Sequence, residues 1–259
     1  MVTQIPPENY HRLQPLFDEN KHLDLISKAI LKGSIGNAYA DSVENPSIAS
    51  LHHNILVFLA GNPHHVEAQR ILERIPKGRL IVVPNDNWSP TMRGCWGEQL
   101  QSLTRTKFSS EELNLNSMNK ILESIPEGMN IEKLTQKTVE DISNQAKRVV
   151  GILFPNLNRF IQTNFGFCLK ENEKIVSLAL AATPCDNQEY EIHIETDPAY
   201  QRRGLAMLAC AKLIQYSLER GLIPHWDADN PPSARLAKKL GFTQPEEYRT
   251  YHWTDRKSR

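Results

Sequence analysis

The segment from Gln201 to Ala206 (QRRGLA) combines two arginines with a glycine and an alanine, between a predicted strand and a predicted helix. The first turn of a helix leaves backbone N–H groups unpaired and carries partial positive charge. A diphosphate accepts hydrogen bonds from several such groups at once. Gly204 has no Cβ to block a close approach, and Arg202 and Arg203 add positive charge. The pattern is typical of a site for a phosphate-rich cofactor.

The bland alternative is a solvated turn that only starts a helix, since short motifs of this kind are common. Two neighbouring features favour the functional interpretation. The turn directly follows a strand that ends at Ile194-Glu195-Thr196 and precedes a strongly apolar helix. A second helix follows, with Asn230 at the N-cap, Pro231 at its first position and Gly241 at its end.

The strand before the turn carries a row of ionisable side chains. Since strand residues alternate between faces, one face presents Glu189, Glu191, His193 and Glu195, and the other Tyr190, Ile192, Ile194 and Thr196. A carboxylate or histidine can accept a proton from a reacting amine, directly or through water. We select Glu191 as the candidate base because it lies well before the turn. A solvated strand face is the alternative.

The elements that position these residues form a mixed pattern. After residue 130 the periodicity predicts strands at 131–134, 166–170, 174–182, 190–196, 223–227 and 248–253, and helices at 139–150, 204–219 and 230–240. This order predicts an α/β (α+β) sandwich with a mixed, partly antiparallel sheet rather than a doubly wound parallel sheet.

The N-terminal half is less regular. Helices are predicted at 23–31 and 64–75, and strands at 37–41, within 48–60 and at 79–83. Pro126 and Gly128 punctuate the chain, so we predict one α/β domain at 1–124 and another at 130–259. A faint similarity between 36–51 and 166–180 suggests the hypothesis that the first domain is a degenerate copy of the second.

The region from Ile131 to Trp253 resembles the GNAT superfamily of N-acetyltransferases. The segment 201–206 matches its R/Q-x-x-G-x-G/A loop, and 230–242 matches its N-x-x-A-x-x-L-Y-x-K-x-G-F helix. The whole chain looks like a two-domain bacterial branch that includes zwittermicin A N-acetyltransferase. In the family two central strands splay apart and the pantetheine lies in the gap. Pro224, which cannot donate to a ladder, agrees with a strand that loses pairing there.

The resemblance implies acetyl-CoA as co-substrate, with the loop amides on its pyrophosphate and Asn230 facing the pantetheine arm. The implied cofactor-binding residues are Ile194, Glu195, Thr196, Gln201, Arg202, Arg203, Gly204, Leu205, Ala206, Asn230 and Ser233. The N-terminal half has Asn62-Pro63-His64 where a glycine loop would stand, so we expect no second CoA.

One departure concerns the acid that protonates the leaving thiolate. The family's helix often carries a tyrosine for this role, and this chain has Ala237. Tyr248 and Tyr251 in the last strand are the candidates, Tyr248 first. Alternatively no acid is needed, since a thiol pKa of roughly 8.5 lets a thiolate leave near neutral pH.

Composition excludes several function classes. Thirty basic and thirty acidic residues cancel, so we expect neither nucleic acid nor an anionic membrane as a partner. No stretch approaches a membrane span, the first residues do not read as a signal peptide, and four scattered cysteines indicate a reduced, cytoplasmic protein. His52-His53 and His64-His65 lack metal-ligand spacing, so no metal is expected.

The leading hypothesis is acetyl transfer from acetyl-CoA to a primary amine of a small molecule, an amino-bearing antibiotic or metabolite. The second is a non-catalytic acyl-CoA sensor or interaction module. The N-terminal domain would serve the acceptor side or be structural, and the chain would be a monomer or a homodimer.

Overall fold

The computed structural model describes residues 1–18, 25–184 and 188–254, and Cys185 and part of the helix predicted at 23–31 lie outside them. The strands are β1 (Thr3–Ile5), β2 (Asn37–Ala40), β3 (Ile48–His53), β4 (Leu56–Gly61), β5 (Leu80–Val82), β6 (Leu100–Ser109), β7 (Met129–Lys133), β8 (Gly166–Glu171), β9 (Lys174–Ala181), β10 (Glu189–Thr196), β11 (Ile223–Ala228) and β12 (Thr243–Trp253). The helices are α1 (Gln14–Asp18), α2 (Leu25–Leu31), α3 (Ala68–Glu73), α4 (Trp88–Trp96), α5 (Leu115–Leu122), α6 (Asn144–Leu153), α7 (Leu157–Thr163), α8 (Leu205–Leu218) and α9 (Pro231–Leu240).

The chain forms two compact units whose bounds differ from the predicted domains at 1–124 and 130–259. Unit 1 comprises Met1–Arg105 and the chain from Glu247 onward, and unit 2 comprises Thr106–Glu246. The turn at Pro126 and Gly128 lies inside unit 2, because α5 packs on α8 through the buried Met118 and a hydrogen bond from Gln215 Nε2 to Asn119 Oδ1 (2.6 Å).

Each unit has the same strand pairing. In unit 1, β1 to β4 pair successively antiparallel, and β4 pairs parallel with β5. In unit 2, β7 to β10 are successively antiparallel, and β10 pairs parallel with β11. A helix follows the fourth strand of each set (α3, α8) and another follows the fifth (α4, α9). This repeated order agrees with the hypothesis of a degenerate copy.

The strand that follows each set in the chain pairs with the last strand of the other set. In unit 1, β5 pairs with Thr250 and Tyr251 of β12, and in unit 2, β11 pairs with residues 106–108 of β6. The chain therefore returns to unit 1 at its C-terminal end, which a single linear boundary does not anticipate. The mixed α/β architecture with a partly antiparallel sheet is confirmed.

Helices cover both faces of the unit 2 sheet. One face buries Phe167, Tyr190 and Trp226 together with residues of α5, α8 and α9. The other buries Cys168, Leu178 and Leu180 against α6 and α7. Each fully buried large apolar side chain stabilises the fold by about 1.5–3 kcal/mol, so these layers hold the strands in register.

Helix α8 is the central helix of unit 2. Its residues are buried on most sides, including Leu208, Leu213 and Ile214, so it packs as an interior helix. A polar contact lies within this layer, where the Tyr190 hydroxyl and Ser217 Oγ are 2.6 Å apart. Gly204 forms its N-cap in a left-handed conformation, with φ of 81°. The helix thereby starts at a fixed position at the end of β10.

Unit 1 has its own two core clusters. One includes Ile71, Trp88 and Tyr251, and the other includes Tyr10, Phe58 and Tyr248. Across the described residues, the helices are too short or too polar to span a bilayer.

Candidate functional site

The strands β10 and β11 separate partway along their length. Their parallel pairing joins Glu189–Glu191 to Ile223–His225, and it ends there among the described residues. Beyond that point β11 pairs through Trp226–Ala228 with β6, while β10 continues to Thr196 alongside β9. The predicted splay of two central strands is thus present. Pro224 itself lies opposite Tyr190, inside the paired segment, and not in the opening where the sequence placed the loss of pairing.

The turn after β10 presents unpaired backbone donors. Tyr200 N donates to Asp197 O (2.8 Å), and Met207 N donates to Gly204 O (3.0 Å). Between them, from Gln201 through Ala206, no backbone N–H donates a hydrogen bond to any described residue. Such donors at a helix N-terminus, within the positive end of the helix dipole, favour a bound anion.

The backbone of this turn is shaped for a close approach. Arg202 and Gly204 adopt positive φ angles of 62° and 81°. A Cβ built on Gly204 would meet no described heavy atom within 4 Å, so the space beside it is open. A non-glycine residue there would nevertheless be strained, because L-residues disfavour the left-handed region.

Tyr200 joins the turn to the tip of the β8–β9 hairpin. Its hydroxyl donates to Glu171 Oε2 (2.7 Å), and this bond to a carboxylate raises the tyrosine pKa. The ring also makes two cation–π contacts. Lys174 Nζ lies 5.0 Å from the ring centroid, and the Arg203 guanidinium lies 5.1 Å from it. Arg203 also lies 3.9 Å from Glu171. We call Glu171, Lys174, Tyr200 and Arg203 the hairpin clamp.

Asp197 fixes the start of the turn. Its carboxylate accepts from Ala199 N (2.9 Å) and lies 2.7 Å from Lys174 Nζ. The bond from Lys174 holds the pKa of Asp197 below its usual value. The two arginines therefore differ. Arg203 makes a ring contact with Tyr200 and an ion pair with Glu171, whereas Arg202 forms no hydrogen bond, ion pair or ring contact with a described residue and is available to an anion.

The alternation predicted for β10 is confirmed. Tyr190, Ile192 and Ile194 pack toward α8. On the opposite face, His193 Nε2 donates to Glu195 Oε1 (2.9 Å), and the other carboxylate oxygen accepts from Ser143 Oγ at the start of α6. The predicted base Glu191 lies at the last paired position, and its backbone N–H donates to Thr183 Oγ1 (2.9 Å).

Glu195 is held ionised although it is partly buried. Burial by itself raises the pKa of this carboxyl, but hydrogen bonds from His193 and Ser143, with the positive charge of Arg148, outweigh it and lower the pKa. Since the side chain is only 14% exposed, its charge is weakly screened by water.

A cavity of about 740 Å³ lies over this face of the sheet. It reaches from the start of α6 across β9 and β10 to the turn, and its lining includes Asp141, Ser143, Ile194, Glu195, Thr196 and Gln201. Four of the predicted cofactor-binding residues thus line one cavity, and one of them is the partly buried carboxylate Glu195. The described residues contain no group of three or more side chains suited to a metal ion.

Other predicted site residues have structural partners. Asn230 Oδ1 accepts from Ser233 N (2.9 Å) as the N-cap of α9, and Ser233 Oγ accepts from Trp226 Nε1 (3.1 Å). The Leu205 side chain is buried in a core cluster, so only its backbone can meet a ligand. Contacts of these residues with a cofactor stay predictions.

Tyr248 lies elsewhere. It belongs to unit 1, where its side chain is 7% exposed within a hydrophobic cluster. Tyr251 is also in unit 1 and donates to Asp86 Oδ1 (2.8 Å). The role of Tyr248 as the acid stays a prediction.

Sequence reasoning missed Ser143, Tyr200 and Glu171 as parts of this site. Ser143 carried a local signal, because its Oγ caps α6 by accepting from Ala146 N (2.9 Å). The clamp carried none, because Glu171 and Tyr200 are far apart in sequence and meet only in the fold.

Unit 1 repeats the strand order without this site. Ile81 and Val82 of β5 pair with β4 on one side and with β12 on the other, and β5 ends at Val82, whereas β11 continues past its last pair with β10. The turn after β4 consumes its own donors: His64 N and His65 N donate to Asn62, at 2.9 and 3.1 Å.

Comparisons with known proteins point to one family. The family model for GNAT acetyltransferases matches residues 14–251. The uncharacterized N-acetyltransferase YdfB of Bacillus subtilis (strain 168) is 24% identical, with 97% of this chain and 98% of that protein aligned. The crystal structure of a GCN5-related N-acetyltransferase-like protein from Streptococcus suis 89/1591 is 27% identical, with a TM-score of 0.81 over 95% of this chain and 99% of that chain. A GCN5-related N-acetyltransferase from Sphaerobacter thermophilus shares the fold, with 10% identity and a TM-score of 0.62 over 97% and 94% of the chains.

Proposed function

Because the chain belongs to the GNAT acetyltransferase family, we propose that it transfers an acetyl group from acetyl-CoA to a primary amine of a small molecule. The reaction proceeds in a ternary complex, without a covalent enzyme intermediate. The favoured acceptor is an amino-bearing antibiotic or metabolite.

The observation that carries this proposal is the run of unpaired N–H groups from Gln201 through Ala206 at the N-terminus of α8. Buried or ligand-facing amides are rarely left unsatisfied, so a run of them beside open space at Gly204 suits the diphosphate of CoA. Arg202 supplies a cation that is not engaged by described protein groups.

The separation of β10 and β11 fits the rest of the acyl donor. From Ile192 to Thr196, β10 has β9 on one side and no β11 partner on the other. An arm that contains amide groups can pair with such an open edge as an added strand does. In this proposal the predicted residues Ile194, Glu195 and Thr196 lie along the arm. The thioester then lies toward the end of the opening at Glu191 and His225, where β10 and β11 are still paired.

The cavity supports a cationic acceptor. Glu195 and Asp141 contribute carboxylates to its lining, and the cation Lys174 is already paired with Asp197. An alkyl ammonium is the form in which a primary amine exists at neutral pH, and a weakly screened carboxylate attracts it.

We propose a single acyl-CoA site per chain, in unit 2. The corresponding turn of unit 1 uses the N–H groups of His64 and His65 in hydrogen bonds to Asn62. Ala237 is buried in the unit 2 core, so α9 supplies no phenol to protonate the thiolate, and the thiol leaves without a dedicated acid.

The test combines calorimetry with thiol release. We expect CoA to bind with a stoichiometry of one and pantetheine, which lacks the diphosphate, to bind at least tenfold more weakly. Acetyl-CoA with a panel of an alkyl monoamine, spermidine, glucosamine and tryptamine should release thiol with at least one amine. Tight CoA binding without turnover on any broader amine panel would favour the sensor hypothesis, which the absence of a family tyrosine on α9 motivates.

A further inference from the structure

His193 has one ring nitrogen engaged and the other without a described partner. Its Nε2 lies 2.9 Å from Glu195 Oε1, and no described group forms a hydrogen bond with Nδ1. The residue is two positions beyond Glu191, where β10 has left β11, and its side chain is 20% exposed. The free nitrogen thus belongs to a residue at the strand opening.

The partner fixes the tautomer of this histidine. An ionised carboxylate only accepts hydrogen bonds, so Nε2 must carry the proton and Nδ1 the lone pair. Glu195 is itself held in place, because Ser143 Oγ donates to its other oxygen. Ser143 is anchored in turn by accepting from Ala146 N as the N-cap of α6. A fixed chain of hydrogen bonds therefore runs from α6 to the His193 ring.

Resting on the proposed acetyl transfer, we propose that His193 is the general base that deprotonates the acceptor amine through Nδ1, that Glu195 positions its ring, and that Glu191 does not take this role. In this proposal the ammonium group of the acceptor meets His193 at the strand opening beyond Glu191, next to Glu195, which lines the cavity.

The proposed reaction moves one proton to His193 and exchanges a carbon–sulfur bond for a carbon–nitrogen bond. The alkyl ammonium gives one proton to Nδ1, leaving a neutral amine and an imidazolium paired with Glu195. The amine nitrogen forms a bond to the acetyl carbon while the carbon–sulfur bond breaks, and the second nitrogen proton goes to the departing sulfur. The imidazolium then releases its proton to water. The products are an N-acetyl amine, CoA thiol and one proton.

Histidine suits this role better than the neighbouring carboxylates. The ring of His193 is held by one nitrogen, and its other nitrogen has no hydrogen-bond partner among the described residues, whereas Glu195 already accepts hydrogen bonds on both oxygens. The pKa of Glu195 is lowered, since hydrogen bonds from His193 and Ser143 outweigh the effect of burial. The charged and titratable groups on this side of the sheet include Glu189, Glu191 and Glu195 on β10, His225 beside Glu189, Cys168 on β8 and Arg148 on α6, and the apolar Leu180 lies opposite His193 on β9.

The kinetic experiment measures kcat/KM against pH with acetyl-CoA and the best amine of the panel. For His193→Gln we expect a loss of about 10²–10⁴-fold and no fall of activity at acid pH, with the KM for acetyl-CoA within threefold of the wild type. Glu195→Gln should lower kcat/KM by less than His193→Gln does, because it loosens the ring without removing it. His65→Gln, which alters a histidine–carboxylate pair in unit 1 (3.5 Å to Asp41), is the matched control and should leave the profile unchanged. An acid limb that survives His193→Gln, or that disappears instead in Glu191→Gln, overturns the assignment.

A second readout does not depend on the acceptor. Nitrogen NMR spectra of the uniformly ¹⁵N-labelled protein with CoA bound should show His193 as the Nε2–H tautomer, and this tautomer should be less dominant in Glu195→Gln. The Nδ1–H tautomer would overturn the proposal. Calorimetry on the same samples separates the two hypotheses: if the wild type fails to bind CoA, the proposed function fails, and if it binds CoA but shows Nδ1–H, only the role of His193 fails.

Discussion

The Tyr200 hydroxyl donates a 2.7 Å hydrogen bond to Glu171 Oε2, which ties the turn before α8 to the tip of the β8–β9 hairpin. Lys174 and Arg203 both make cation–π contacts with this ring. The clamp holds the turn in the conformation that leaves the following N–H groups unpaired.

The first prediction concerns this bond. Tyr200→Phe keeps the ring and its cation–π contacts but removes the hydrogen bond to Glu171. We expect the Kd for CoA to rise about threefold or more. Without the bond the turn is less ordered, and ordering its N–H groups when CoA binds costs conformational entropy. The melting temperature without ligand should change by no more than about 2 °C, since the site is at the surface. Calorimetry and thermal denaturation measure the two effects.

Lys133 and Tyr216 provide the control for that variant, since they form a comparable pair at a distance from the turn (2.9 Å). Tyr216→Phe should leave CoA affinity unchanged. Equal affinities of Tyr200→Phe and the wild type would show that the clamp does not set the turn.

The second prediction concerns Gly204. A glutamate at this position projects into the open space beside the turn and brings negative charge to the proposed diphosphate site. We expect Gly204→Glu to lower CoA affinity by at least about tenfold, equivalent to about 1.4 kcal/mol. Because φ is 81°, any L-residue is strained there, so Gly204→Ala and Gly204→Glu should both lose about 1 kcal/mol of stability.

Gly204→Ala therefore separates backbone strain from charge and bulk, and it should retain more affinity than Gly204→Glu. Arg235→Glu on α9 is the control for added negative charge and should bind CoA nearly as the wild type does. If Gly204→Glu folds and binds CoA with wild-type affinity, the cofactor site lies elsewhere.

The third prediction concerns acid stability. Burial of His52, with the positive charges of Arg79 and Arg74, lowers its pKa to about 4. Below the unfolded pKa of about 6.5 the unfolded chain binds a proton that the folded one does not, so stability falls as pH falls from about 6.5 to about 4. The full effect is about 3 kcal/mol.

His52→Asn removes this titration. We expect urea denaturation at several pH values to show a shallower loss of stability between pH 6.5 and 4 in the variant than in the wild type. His53→Asn, at the next position of β3, is the matched control because adjacent residues of a strand point to opposite faces of the sheet. Parallel pH dependences of wild type and His52→Asn would contradict the prediction.

Much of unit 2 was predictable from local patterns. The turn from Gln201 to Ala206, the N-cap at Asn230 and the alternation along β10 depend on residue types and spacings of a few positions. Helix α5 and strand β6 were not predicted. Most residues of β6 are exposed or partly exposed, and its apolar residues show little periodicity. Its formation as a strand therefore depends on pairing with β11.

The sequence by itself determined the family, the mixed α/β class and the turn suited to a diphosphate, because each is encoded in short-range chemistry: a glycine that adopts positive φ, capping side chains and period-two alternation. Only the tertiary structure decided how the chain divides, which carboxylate Tyr200 binds and which serine meets Glu195. These depend on contacts between residues far apart in sequence, such as Ser143 with Glu195 and Tyr200 with Glu171. The exchange of β6 and β12 between units is of the same kind, since strand pairing is set by the surfaces that the whole fold brings together.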